Sequence, residues 1–216
     1  LQEEGWQERK KGVIMELKII EQDDRQVKFK VEGISAETAN AIRRSMAAEV
    51  PVMAVESLDI VENNSGLVDE VLAHRIGLIP LVWPDRYNVR AKCTCKGRGC
   101  SNCTVELALN AAGPKVVRAS DLESDDKNVH PLDGNTIIVE LLEAQKVELT
   151  CIAQLGYGKD HAKWQAAVVG YDEKGKSFTF KVESVSGLTA SEVVKRALDE
   201  LAERASEFAK AVKKEL

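Results

Sequence analysis

Both ends of this chain alternate apolar and polar residues in the same way, and that shared pattern restricts the fold more than any other feature. Leu17-Lys18-Ile19 and Val27-Lys28-Phe29-Lys30-Val31 flank a turn at Asp23-Asp24, and Phe178-Thr179-Phe180-Lys181-Val182 follows a turn at Asp172-Glu173-Lys174-Gly175-Lys176. Period-two alternation gives a strand one apolar face that must be covered. A helical pattern adjoins each set. The first has Ser35 as N-cap, Glu37 in its first turn, apolar Ile34, Ala39, Ile42, Met46 and Val50 at helical spacing, and Pro51 as its stop. The second opens at Thr189-Ala190-Ser191-Glu192, a capping box. Its Val194, Leu198, Leu201, Ala205, Phe208 and Val212 follow one another by steps of four and three in turn. Such a narrow seam packs along another helix or lies on the chain's own sheet.

The ends therefore predict one discontinuous α+β domain of antiparallel strands and long helices, residues 15–51 with 173–216, and an inserted, mainly β domain over 52–172. Strand-like runs in the insert are Val52 to Val61, Thr136 to Leu142 and Lys146 to Leu155. Residues 120–135 read as an acidic, solvated connection. Residues 1–14 show no sustained period and read as a disordered extension before Met15.

At 216 residues the chain is long enough for a sizeable core. A net charge of −5 argues against a free nucleic-acid binder, which carries a basic footprint. No apolar run reaches the roughly 18 to 20 residues of a membrane span, and no signal peptide opens the chain, so a cytoplasmic protein is expected.

Cys93, Cys95, Cys100 and Cys103 have the spacing C-x-C-x4-C-x2-C. Four thiolates close a tetrahedral Zn²⁺ site and leave no position open to substrate. Gly97 and Gly99 permit the tight backbone between the pairs. Structural zinc is favoured over an iron–sulfur cluster, with disulfides or free thiols as the other readings. Cys151, among Val, Leu and Ile, reads as a buried core thiol. His74, within an apolar helix-like run, reads as a structural histidine, and His130 and His161 fit no metal or hydrolase motif. No nucleophile and base assemble, so no catalytic residue is assigned.

Three further segments carry contact chemistry. Arg43 and Arg44 lie on adjacent helix positions about 100° apart, so both cannot be buried; they form a solvated face or a partner contact. Gly156-Tyr157-Gly158-Lys159-Asp160-His161-Ala162-Lys163-Trp164-Gln165 is a glycine-hinged turn whose His161, Lys163 and Trp164 suit an interface. Alternatively, Trp164 plugs its own domain. Trp83 to Tyr87 reads as cover for a sheet edge.

Asn40-Ala41-Ile42-Arg43-Arg44, Ala73-His74-Arg75-Ile76-Gly77-Leu78-Ile79-Pro80-Leu81 and His161-Ala162-Lys163-Trp164 together resemble the alpha-like subunits of cellular RNA polymerases. The wording is nearest the archaeal D-type and eukaryotic third-largest members, with the bacterial alpha subunit more distant. The likeness extends over nearly everything after Met15. It implies a non-catalytic assembly platform for a DNA-directed RNA polymerase. Asn40, Arg43 and Arg44 would face the second-largest subunit, and the Val194–Val212 seam would pair with the small alpha-like subunit L. The His161–Trp164 turn falls where the family meets other platform subunits; the small zinc-binding subunits N and P are expected partners. Direct DNA contact is not expected. The cysteine loop resembles the zinc loop of the eukaryotic relatives with one more residue between its middle cysteines. Cysteines for the iron–sulfur domain of many D-type members are missing, so no such cluster is expected.

Two rival functions use the same residues. A stand-alone zinc-loop protein would bind nucleic acid through Arg90, Lys92, Lys96 and Arg98. A thiol redox enzyme would use Cys100-Ser101-Asn102-Cys103 as a C-x-x-C pair.

Overall fold

The computed structural model describes residues 15–215, so the extension expected over 1–14 lies outside the described residues. The elements in chain order are β1 (Glu16–Gln22), β2 (Gln26–Glu32), α1 (Ala36–Ala48), β3 (Pro51–Asn63), α2 (Asp69–Gly77), β4 (Leu81–Val82), β5 (Thr104–Ala112) and β6 (Lys115–Arg118). They continue with β7 (Glu123–Ser124), β8 (His130–Pro131), β9 (Ile137–Leu141), β10 (Lys146–Tyr157), β11 (Ala167–Lys174), β12 (Ser177–Ser184) and α3 (Ala190–Glu215).

The alternating ends meet in one antiparallel sheet of order β1-β2-β12-β11. Val31 pairs with Phe178, Phe29 with Phe180 and Val27 with Val182, so every apolar residue of β2 meets an apolar residue of β12. All six are buried. The Phe29 and Phe180 rings stack at 5.0 Å, and Tyr171 on β11 tilts against Phe180 at 5.3 Å. At the first turn, Asp23 accepts the Arg25 and Gln26 amides at 2.7 Å, an Asx arrangement that closes the β1–β2 hairpin.

The two long helices lie against this sheet. Ser35 caps α1, accepting the Thr38 amide at 3.3 Å, and α1 buries Ala39 and Met46. The capping box of α3 forms as read: Thr189 N–H donates to Glu192 at 2.8 Å, and Glu192 N–H donates to Thr189 Oγ1 at 3.3 Å. Ser45, fully buried, donates its hydroxyl to the Ala197 carbonyl at 2.9 Å and so ties α1 to α3. That bond satisfies a polar group whose isolated burial would cost about 1–3 kcal/mol.

Only Ala190, Val193 and Ala197 of α3 are buried. Val194 and Leu201 are half-buried, while Leu198, Phe208 and Val212 are 41%, 71% and 37% exposed. The chain's own sheet therefore covers the first turns of the expected seam and leaves the rest bare.

The intervening chain builds a second antiparallel sheet, β3-β10-β5-β7, with β10 central. Val147, Leu149, Cys151, Ala153 and Leu155 of β10 are buried beside Val105, Leu107, Leu109 and Ala111 of β5. Leu72 and Ile76 of α2 are buried with them. His74 is exposed on α2, not packed, because Leu72 and Ile76 occupy the inward stripe. Two features bear on chain organisation. β11 runs across positions 172 and 173, so that boundary falls inside a strand. The 120–135 connection is not merely solvated: Leu122 and Val129 are buried, and Asp126 accepts from Arg86 and Tyr87 at 2.6 and 2.9 Å.

Phe180 has no exposed surface and contacts rings on both neighbouring strands. Phe180→Ala is expected to lower unfolding free energy by about 3–5 kcal/mol in denaturant titrations. A loss below about 1 kcal/mol would show that the end-to-end sheet is not the core that holds the ends together.

Candidate metal centre and contact surfaces

The cysteine loop leaves a short 3₁₀ turn at Arg90–Lys92 and feeds directly into β5. Cys93 and Cys103 are buried, Cys95 and Cys100 half-buried, and all four sulfurs lie within 4.8 Å of one another. Cys93 to Cys100 and Cys95 to Cys103 are each 3.7 Å apart, and Cys100 to Cys103 is 3.8 Å. A tetrahedral Zn²⁺ with bonds of about 2.3 Å requires edges of about 3.8 Å. The same separations exceed a disulfide bond of about 2.05 Å, and all four thiols are free. The donor set therefore fits a closed, four-coordinate soft-metal site.

Backbone conformation makes this cluster. Lys96, Gly97 and Gly99 have φ of 56°, 78° and 90°, the left-handed region that glycine enters without strain. Lys96 N–H reaches the Cys93 carbonyl at 3.0 Å, and Cys103 N–H reaches the Cys100 carbonyl at 2.8 Å. The Cys100 amide points at the Cys103 sulfur, 3.3 Å away. Burial, the largest single influence on Cys95, pushes its thiol up. The Gly99 amide and the sulfurs of Cys93, Cys103 and Cys100 together pull it down, and the net value is about 6. Burial pushes Cys103 up, to about 12. Cys151 is also raised to about 12 by burial, as suits an inert core thiol.

The basic residues around the loop are largely engaged by the chain itself. Arg90 donates to the loop carbonyls of Gly97 and Arg98 and to Gln154. Lys92 lies 3.5 Å from Glu203 on α3, and Arg98 donates to the Cys95 carbonyl at 3.3 Å. A nucleic-acid surface made of these side chains would have to break those contacts.

The other residues singled out from the sequence lie on separate surfaces. On α1, Asn40 and Arg44 are exposed and Arg43 is half-buried. Arg43 donates Nε and Nη2 to Asn40 Oδ1, both at 3.1 Å. In the 156–165 turn His161 is exposed and Lys163 half-buried, but Trp164 is only 7% exposed. Trp164 is thus the plug of its own domain. A Cβ on Gly156 would sit 2.3 Å from the indole, so only glycine admits the ring there. Lys163 pairs with Glu56 and lies 4.4 Å over the Trp164 ring. The indole N–H is buried with no acceptor among the described residues.

One surface was not legible from the sequence. Leu17 and Ile19 of β1 are 56% and 53% exposed, and with Phe29, Val194 and Leu198 they line an apolar groove of about 390 Å³ between β1 and α3. Alternation marks β1 as one-faced but does not say that its apolar face stays bare.

Antiparallel sheets, three helices and a cluster of four cysteines among the described residues define a mixed α/β protein whose thiols could hold a metal ion. Residues 58–170, just over half of the chain, match the RNA polymerase Rpb3/RpoA insert domain, and the chain belongs to that family. It is similar to proteins named DNA-directed RNA polymerase subunit Rpo3 from three archaea. Identity to that of Methanosarcina acetivorans is 46% over 160 residues, covering 73% of this chain and 60% of the relative. For Archaeoglobus fulgidus it is 43% over 155 residues, 71% and 59%. For Pyrococcus furiosus it is 42% over 158 residues, 73% and 58%. The chain thus spans about three fifths of the length of these relatives.

Metal is expected to leave on acidification, because protons compete with it for the four thiolates. Zinc analysis after dialysis should find about one ion per chain at pH 7.5 and a small fraction of that at pH 5. Cys103→Ser should show the same depletion at pH 7.5. Full zinc retention by that variant would contradict a four-thiolate site.

Proposed function

We propose that this chain is a non-catalytic assembly-platform subunit of a multisubunit DNA-directed RNA polymerase, acting in transcription in the cytoplasm. The observation that carries the proposal is the apolar surface left uncovered where β1 meets α3. Leu17, Ile19 and Leu198 line that groove while staying 56%, 53% and 41% exposed, and Phe208 and Val212 continue the exposed apolar residues along α3. Chain ends brought into one sheet, the Rpb3/RpoA insert match and the Rpo3 relatives support another polymerase subunit as its partner.

In this reading the discontinuous unit formed by the two ends is the dimerisation domain. Its groove receives the small alpha-like subunit L, with Val194, Leu198, Leu201, Phe208 and Val212 along the helix and β1 beside it. An obligate interface of this kind typically exceeds about 2,000 Å². Asn40 holds Arg43 in place, and Arg44 makes no hydrogen bond or ion pair among the described residues. The exposed edge of α1 then docks the second-largest subunit, since guanidinium forks suit carboxylates and carbonyls. His161, with Lys163 and Trp164 behind it, belongs to a contact with the small zinc subunits N and P. Zn²⁺ in the Cys93, Cys95, Cys100 and Cys103 site is structural: it would fix the loop at the start of β5 and take no part in nucleotide chemistry. No iron–sulfur cluster and no direct DNA contact belong to this reading.

Two variants separate its contacts. Leu198→Asp, on co-expression with an L-type subunit, should reduce heterodimer recovery at least about 100-fold, since a charge would be buried in an apolar interface. The melting temperature of the chain alone should move little, because Leu198 is 41% exposed. Arg44→Ala should weaken capture of the second-largest subunit about tenfold, one hydrogen-bonded charge, and leave L pairing intact. Equal loss of both contacts, or of neither, would overturn the assignment of Arg44.

A further inference from the structure

Arg90 lies outside the set of metal ligands, yet its side chain is directed into the cysteine loop. Its Nε donates to the Gly97 carbonyl at 2.8 Å and its Nη2 to the Arg98 carbonyl at 3.3 Å, while Nη1 donates to Gln154 Oε1 at 3.2 Å. Gln154 belongs to β10, the central strand of the second sheet, and pairs with Thr104 immediately after Cys103. The guanidinium therefore bridges the tip of the loop and a fixed strand. The left-handed backbone at Lys96, Gly97 and Gly99 lets two successive carbonyls, Gly97 and Arg98, accept from one planar fork.

The consequence for the sulfurs follows from peptide geometry. A trans peptide points its C=O and N–H in opposite directions. The peptide whose carbonyl accepts from Arg90 is the Arg98–Gly99 unit, so its Gly99 N–H is turned away from Arg90, and that amide favours the Cys95 thiolate. Holding that carbonyl outward aims the amide inward. A cation on the carbonyl side also polarises the peptide and strengthens its N–H as a donor to thiolate. Glycine is needed at 99 for its left-handed backbone, φ 90°, since a Cβ there would make only an ordinary 3.7 Å contact with Arg90 Nη2.

We propose that Arg90, backed by Gln154, is the positioning residue of the metal site: it orients the Gly97–Gly99 backbone so that the loop is preformed for a thiolate-bound divalent ion. This rests on the metal reading given above. The role requires the fork and not charge alone, because an ammonium cannot bridge two carbonyls and an amide oxygen in one plane.

The test is titration of the metal-free full chain with Co²⁺ and then Zn²⁺ against a competing chromophoric chelator. Thiolate-to-cobalt charge transfer reports the ligand set, and thermal melts of the metal-free proteins report folding. Arg90→Ala should bind Co²⁺ and Zn²⁺ about 10- to 100-fold more weakly, the usual effect of removing an outer-shell partner. Gln154→Ala, which keeps the cation, should lose part of that affinity. Arg90→Lys should stay within about threefold of Arg90→Ala if orientation governs. The metal-free melts of Gln154→Ala and Arg90→Lys should match the parent chain, separating metal affinity from folding. Unchanged affinity in Arg90→Ala, or full recovery in Arg90→Lys, would overturn the proposal while leaving the metal site standing. Absence of a cobalt–thiolate band in the parent chain would overturn the metal reading and this proposal with it.

Discussion

The pairing of β2 with β12 is the constraint on which the rest of the molecule depends. It brings Phe29 onto Phe180 and closes the two ends of the chain into one sheet. α1 and α3 are forced into neighbouring positions, where a single buried hydroxyl bond from Ser45 to Ala197 joins them. With α1 on one flank of α3, the sheet beneath its first turns and polar contacts from the insert at Arg196 and Glu203, the apolar Leu198, Phe208 and Val212 stay exposed. The bare seam is a result of topology as much as of composition.

The second sheet solves a different problem. β10 is satisfied on both edges by β3 and β5, but β5 begins immediately after the cysteine knuckle. The loop that precedes it contributes few apolar side chains, so its shape is maintained by left-handed turns, amide-to-sulfur contacts and the Arg90 fork. A metal would complete a framework that the backbone has already arranged. Three links run from the insert to α1 and α3, through Lys92 to Glu203, Asp85 to Arg196 and the Lys159 amide to the Ala48 carbonyl. These polar contacts add to one continuous apolar core to which buried residues of both parts belong.

Much of this was legible in the sequence. Alternation at Val27–Val31 and Phe178–Val182, the Ser35 cap and the Thr189–Glu192 capping box each specify local structure through their own chemistry, and each formed. Cysteine spacing likewise foretold a cluster. What escaped was whatever depends on which face finds a partner. Leu17 and Ile19 alternate as well as Phe29 does, yet only Phe29 is covered. Trp164 carried an interface-like composition, but Gly156 opens a slot that takes the ring inward. Arg90 reads from sequence only as a nucleic-acid contact of a rival function, because nothing in a linear sequence shows that left-handed backbone will direct carbonyls toward it. β5 carries a clear alternation of Val105, Leu107, Leu109 and Ala111 directly after the cysteines, a strand signal beside the metal-type spacing.

The central claim is that the bare β1–α3 surface is an obligate pairing face of a polymerase platform. Native mass spectrometry of the tagged chain recovered from its own cells tests it most directly. The account predicts a one-to-one complex with a small partner of about a hundred residues, together with a polymerase-sized assembly that contains both. A stable, soluble monomer as the sole species would contradict it.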